Sequence, residues 1–223
     1  MTDPALETVA PQSPSSSLAR VSPPPAPAGW SGAAMALHAI RRMPSAMIVS
    51  LRPDALDPML VDMRGYVYQW SVPLEEFPTQ PTAVVIGTRA IEEAEPAFAG
   101  ADYSYSRPAF AGRPLDALLW LIGTNAFDGG RASWLRSGDR YRLYRWPEFE
   151  KLPITDEQQR IIKTSSRGFM TIDKLAAKSG VEVEAAQRVA NALSLMGLLR
   201  RHPAANAAPD APPPPPPGSL PVG

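Results

Sequence analysis

The sequence predicts an α+β protein: a small mixed domain with a β-hairpin over residues 30–149, followed by a module of three short helices over residues 150–202. Three observations predict this class. Alternating and β-branched runs between residues 46 and 86 are typical of strands. Apolar side chains recur at helical spacing in the C-terminal part of the chain. Stretches rich in Pro, Ser and Ala predict disordered tails over residues 1–29 and 203–223, because they offer too little apolar surface to offset the entropy of ordering.

Composition argues against several classes of function. The 223 residues carry 22 basic and 22 acidic side chains, so zero net charge gives no general attraction to nucleic acid or anionic membranes. Cysteine is absent, which excludes disulfides, thiolate catalysis and sulfur-ligated metals and fits a reducing, cytoplasmic compartment. The two histidines, His38 and His202, lack nearby ligands of zinc-site spacing. No segment reaches the ~18 apolar residues of a membrane span. We expect no metal, no cofactor and no membrane contact.

The C-terminal tail contains six consecutive prolines, residues 212–217. Such a run favours a stiff polyproline II conformation with an exposed backbone. It is interpreted here as a solubilising tail, and the alternative is a ligand for an aromatic-lined groove.

The mixed domain begins with a short amphipathic helix that Pro44 must end. Residues 46–51 form a predicted strand. Two extended runs around Arg64 and Gly65 then predict the hairpin, residues 59–63 and 66–70. Alternation places Tyr66, Tyr68 and Trp70 on one face, where packing is favoured over the stacking of nucleic-acid bases because the flanking residues are acidic.

Three further elements complete this domain. Residues 82–86 predict a strand with a β-branched core pattern. Apolar spacing predicts a helix over residues 115–122 that ends at Gly123. Residues 140–146 alternate strictly, which places Arg140, Arg142, Tyr144 and Trp146 on one face and Tyr141, Leu143 and Arg145 on the other. This basic and aromatic run indicates either an edge strand protected by arginines or a surface that binds nucleic acid or phosphate; the edge strand is favoured.

The module of residues 150–202 carries clear helix signals. Thr155, with Gln158 three residues later, predicts a capping box for the first helix. Thr171 caps a second helix, which Gly180 ends by taking a left-handed conformation. A third helix is predicted over residues 183–196, where Val189, Ala192, Leu193 and Met196 form its apolar stripe. Residues 198–201 then leave as an extended segment.

The run from Phe169 through Gly180 to Leu199 resembles a bacterial winged helix-turn-helix over the last 50 or so structured residues. In DNA-binding members the third helix enters the major groove. The resemblance therefore implies contacts to DNA bases from Gln187, Arg188 and Asn191. It also implies contacts to the DNA backbone from Lys174, Lys178, Arg200 and Arg201. Against DNA, residues 153–203 hold eight basic and five acidic side chains, short of a concentrated basic stripe. The wing is also cut short, because Pro203 follows the first strand.

No nucleophile or acid–base motif stands out, so the chain is not expected to be an enzyme. The predicted function is a non-catalytic interaction, regulatory or signalling protein of the bacterial cytoplasm, in which the winged-helix-like module and the Arg140–Arg145 run contact a protein partner. The alternative is a transcription regulator that reads DNA with the helix over residues 183–196. We expect a protein partner, with DNA as the second choice.

Overall fold

A computed structural model describes residues 29–43, 47–90, 109–148 and 152–204. The fold is α+β, as predicted: the described residues form a five-stranded antiparallel sheet, five helices and a small two-stranded sheet. The predicted tails, except residues 29, 203 and 204, lie outside the described residues, as does most of the acidic stretch after residue 90.

The larger sheet has the strand order β4-β1-β2-β3-β5. Its strands are listed in chain order: β1 Met47–Pro53, β2 Met59–Asp62, β3 Val67–Gln69, β4 Val84–Ala90 and β5 Arg113–Pro114. The predicted hairpin is confirmed, because β2 pairs antiparallel with β3 and Val61 lies opposite Tyr68. Buried Asp62 holds its turn: Oδ1 accepts the backbone N–H groups of Arg64 and Gly65, and Oδ2 accepts that of Ala109.

Helix α1, Trp30–Ile40, packs against strands β1 and β4, and helix α2, Asp116–Asn125, packs against α1. Tyr68 and Trp70 are buried in the core that results, which confirms packing as the role of these rings. Tyr66 differs from its predicted place in the aromatic row. It lies in the turn with φ 55°, and its hydroxyl donates a hydrogen bond to Asp116 Oδ1 at 2.8 Å.

Two elements differ from their predicted character. Strand β4 continues past Gly87 and is largely exposed, with Val85 65% exposed, although its β-branched residues predicted a core strand. It is the outermost strand in the sheet order, so among the described residues only one of its two edges pairs with another strand. Helix α2 does not end at Gly123 but continues to Asn125.

The C-terminal helices follow the predicted order: α3 Asp156–Ser165, α4 Ile172–Ser179 and α5 Val183–Leu195. The capping box is confirmed, with Thr155 Oγ1 accepting from the Gln158 N–H and the Gln158 side chain accepting from the Thr155 N–H. Gly180 ends α4 in the left-handed conformation at φ 65°, also as predicted.

A strand from before these helices joins the strand that follows them. Strand β6, Arg140–Leu143, pairs antiparallel with β7, Leu199–His202. On its other side, Tyr141 exchanges both backbone hydrogen bonds with Met170. Strand β6 is therefore flanked on both sides at Tyr141, where the sequence predicted an edge strand. Elements on both sides of the predicted boundary at residues 149 and 150 thus pack together.

Helices α2 and α5 also join the two parts of the chain. They approach so closely at Gly123 that a Cβ atom there would lie 2.4 Å from the Cα atom of Ala192. No helix among the described residues has the length and apolarity needed to cross a membrane.

Candidate interaction surface

The exposed side of the β6–β7 sheet gathers basic side chains from both strands. Arg140 lies opposite His202 and Arg142 lies opposite Arg200, and residues paired in this way share one face of an antiparallel sheet. All four are exposed, whereas the alternate residues Tyr141 and Leu143 are buried. We call the exposed side the arginine face; its members are Arg140, Arg142, Tyr144, Arg200 and His202.

Aromatic rings hold part of this face in place. The Arg200 guanidinium lies 3.8 Å from the centroid of the Tyr144 ring, a cation–π contact. Arg140 Nη2 lies 3.2 Å from His202 Nδ1. Arg142 and Arg200 are like charges directly opposite each other, which disfavours the pair in isolation. An anionic group bound between them would remove that repulsion.

Further aromatic side chains are exposed at or near this strand pair. Tyr144 is 61% exposed and Trp146, three residues after β6, is 49% exposed. Phe169 is 38% exposed, and its ring contacts His202 with a centroid distance of 5.6 Å. Arginine beside exposed aromatic rings is the composition enriched at protein–protein interfaces and their hot spots.

Two of the predicted contact residues lie outside the arginine face. Arg201 points away from the arginine face and forms an ion pair with Asp139, which is 2% exposed. Arg145 is close enough to Arg41 of α1 that its charge helps to lower the pKa of Arg41, after the larger effect of burial. Alternation along β7 separates Arg201 from Arg200. Arg145 lies beyond the end of β6 at Leu143, although the sequence predicted that the strand would continue to residue 146.

The polar residues predicted to read bases from α5 are buried. Gln187 is 7% exposed and Asn191 is 1% exposed. Asn191 Oδ1 accepts hydrogen bonds from the Ala132 N–H and from Gln187 Nε2, and its Nδ2 donates to the Gly130 carbonyl at 2.8 Å. These side chains fasten the loop over residues 130–132 to α5. In this fold they do not present hydrogen-bonding groups to a DNA groove.

The remaining predicted contact residues lie apart from the arginine face. Arg188 is half-buried, and its guanidinium contacts the Thr124 carbonyl and the Asp128 carboxylate, so it joins α5 to the end of α2. Lys174 and Lys178 are exposed on α4, which packs against α3 and α5. The structure therefore unites only Arg140, Arg142 and Arg200 from the predicted set.

Phe169 was not predicted as a surface residue from the sequence, and the two arginines at the end of α1 were not predicted as contact residues. Phe169 stands just before a helix cap and outside any apolar stripe, which is a signal for exposure. Arg41 and Arg42 are adjacent where α1 ends, a position that favours basic side chains near the last helical carbonyls.

Within the described ranges, no cluster of three or more His, Cys, Asp or Glu residues is arranged to hold a metal ion. Comparisons with protein-family models, with curated proteins and with solved structures found no match to this chain. The chemistry of the arginine face is therefore the basis for assigning a role.

Proposed function

We propose that the protein is a non-catalytic interaction or regulatory protein of the bacterial cytoplasm, and that its arginine face binds an acidic segment of a protein partner. The observation that carries the proposal is the exposed strand pair with three arginines, flanked by Tyr144, Trp146 and Phe169. Carboxylates bind arginine through charge-assisted, often bidentate hydrogen bonds, and the rings add apolar contact area.

The helical module supports a docking role. The order of α3, α4, α5 and β7 follows the winged-helix resemblance, and β6 lies beside β7 where a second wing strand is needed. We include in the proposal that these elements form a winged helix used for protein contacts.

DNA binding is the weaker alternative for two physical reasons. The side chains of α5 that would read bases are engaged inside the protein. The arginine face offers three guanidinium groups, and the electrostatic affinity of a protein for DNA rises with the number of phosphates that its Lys and Arg side chains neutralise. A surface with roughly three such contacts gives weak, non-specific DNA binding at physiological salt.

The proposal can be tested with a defined acidic probe, fluorescein-labelled poly-L-glutamate, measured by fluorescence anisotropy on the full chain at low salt. The variant Arg142→Glu/Arg200→Glu reverses two charges on the arginine face. The matched control Arg52→Glu/Arg89→Glu makes the same change of charge at exposed arginines of the five-stranded sheet. We expect the first variant to weaken binding by about tenfold or more, and the control by less than about twofold.

Equal loss in both variants would show attraction to net charge alone and would refute a specific face. A labelled duplex of random-sequence DNA provides the second arm. If the duplex binds more tightly than poly-L-glutamate, with a steep salt dependence that Arg188→Glu abolishes, the transcription-regulator alternative replaces the proposal.

A further inference from the structure

A cleft of about 450 Å³ lies between the end of α1 and the end of α5, on the side of the small sheet away from the arginine face. This volume falls within the range of small-molecule sites, about 300–1,000 Å³. The cleft joins the two parts of the chain, because its lining comes from α1, from the loop after α2, and from α5, β6 and β7. Ten residues line the cleft, among them His38, Arg41, Arg42, Trp134, Leu199 and Arg201.

The lining is strongly basic. It contains three arginines and a histidine, and no carboxylate is among these ten residues. The cations also act on one another: burial lowers the pKa of His38, and the charges of Arg42 and Arg41 lower it further. Burial likewise lowers the pKa of Arg41, and Arg145 adds to that effect while Tyr66 opposes it. Mutual repulsion of this kind is relieved when an anion binds.

Arg41 and Arg201 make structural contacts, whereas the Arg42 side chain makes none among the described residues. Arg41 Nη1 donates to the Leu195 carbonyl at 3.0 Å and so satisfies the end of α5. Arg201 is paired with Asp139. A guanidinium has five N–H donors, so neither contact exhausts its side chain. The exposed Arg42 side chain has no hydrogen-bond or ion-pair partner among the described residues, so capping α5 does not account for it.

The wall of the cleft is fixed in position. The rings of His38 and Trp134 stack with centroids 4.1 Å apart and planes 7° from parallel. Trp134 Nε1 donates to Ser194 Oγ at 2.8 Å, which leaves the Ser194 hydroxyl proton able to donate elsewhere. At Gly197, φ is +72°, and a Cβ atom there would overlap the Arg41 guanidinium, so glycine is required for this arginine to lie where it does.

We propose that this cleft binds a small phosphorylated molecule, with the phosphate held by Arg41 and Arg42 and the organic part extending toward Trp134 and Leu199. Guanidinium groups match the geometry of phosphate oxygens and bind them bidentately. The absence of a carboxylate from the lining disfavours cations and zwitterions. The volume exceeds that of a bare phosphate ion, which favours a phosphomonoester.

Isothermal titration calorimetry of the full chain with inorganic phosphate and with phenyl phosphate tests the site. We expect phenyl phosphate to bind more tightly than inorganic phosphate, because only the ester fills the apolar part of the cleft. Arg42→Gln should weaken phenyl phosphate binding by about tenfold, the loss of one charge-assisted contact. Arg42 is exposed, so folding does not depend on this change. Arg52→Gln, at an exposed arginine elsewhere, is the matched control and should leave the affinity unchanged.

Proton NMR gives a second, local readout. The chain has two histidines, so the ring C2–H signals can be assigned with a His202→Gln variant. Phosphate bound beside Arg41 and Arg42 should raise the pKa of His38, and the His202 ring signal should not move when the ligand is added. The proposal is overturned if phenyl phosphate up to about 50 mM, far above the range of a specific site, leaves His38 unaffected. A phosphoserine peptide that binds more tightly than phenyl phosphate would also overturn it, since the ligand would then be a modified protein.

Discussion

The close approach of α2 and α5 makes Gly123 the most sensitive position in the packing of the two parts of the chain. In Gly123→Ala the new Cβ would lie 2.4 Å from Ala192 Cα, where carbon atoms prefer about 3.5–4.0 Å. Backbone cannot rotate away as a side chain can, so the helices must separate. Overpacking of this kind costs about 3 kcal/mol. Alanine returns about 1 kcal/mol through its helix propensity. We expect a net loss of about 2 kcal/mol in the free energy of unfolding.

Urea denaturation followed by circular dichroism measures this loss, which should lower the midpoint by roughly 1 M. Gly168→Ala is the matched control, because a Cβ there meets no atom within 4 Å, and it should change stability by less than about 0.5 kcal/mol. Adding Ala192→Gly to Gly123→Ala should not restore stability, since the nearest atom is the Ala192 Cα and remains. If Gly123→Ala is as stable as the wild type, α2 and α5 do not pack closely at this point.

Two further changes test the interior and its pH dependence. Asn191→Ala removes the partner of two buried donors, the Ala132 N–H and Gln187 Nε2, and should cost about 2–6 kcal/mol in urea denaturation, since each unpaired buried group costs about 1–3 kcal/mol. A loss below about 0.5 kcal/mol would place this amide at the surface. The pKa of His38 lies below its usual 6.5 in the folded protein, so the stability it contributes is present above that pH and is lost as the pH falls through the folded value. Between about pH 7.5 and pH 5, the wild type should therefore lose more free energy of unfolding than His38→Gln, and His202→Gln is the control. An equal or smaller loss in the wild type would contradict a lowered pKa of His38.

Features governed by neighbours in sequence could be predicted from the sequence. The capping box depends on Thr155 and Gln158, three residues apart, and the end of α4 depends on Gly180. The β2–β3 hairpin likewise follows from two short runs and the turn between them. In each case the residues that decide the conformation lie within a few positions of one another, so tertiary contacts do not overrule them.

Features that depend on distant neighbours could not be predicted in the same way. Gly123 predicts a helix end in isolation, but it permits close packing once Ala192 is known to lie beside it. Val85 belongs to a core-like pattern, yet its strand lies at the edge of the sheet. Nothing in the local sequence indicates that β6 would pair with β7, about sixty residues later.

The apolar stripe predicted for helix α5 accounts for only part of the helix surface that is buried. The stripe of Val189, Ala192, Leu193 and Met196 is buried as predicted, but Asn191 on another side is buried too. The helix packs against α2, α3 and α4, so more than one face is covered. Its alanines on several faces are the signal in the sequence, since small side chains allow helices to approach from several directions.

The zero net charge of the chain does not reveal its local basic surfaces, because alternation along a strand places consecutive charged side chains on opposite sides of the sheet. Arg200 and Arg201 are consecutive in β7 and point to opposite sides of the small sheet. Arg200 joins Arg140 and Arg142 on the exposed side, whereas Arg201 lines the cleft beside α1. Amino-acid composition cannot predict this separation of the arginines, which arises only when β6 pairs with β7 in the observed register. A shift of that register by one residue would exchange the two sides and place Arg201 on the arginine face, so the pairing of Arg142 with Arg200 is the condition on which both proposed surfaces depend.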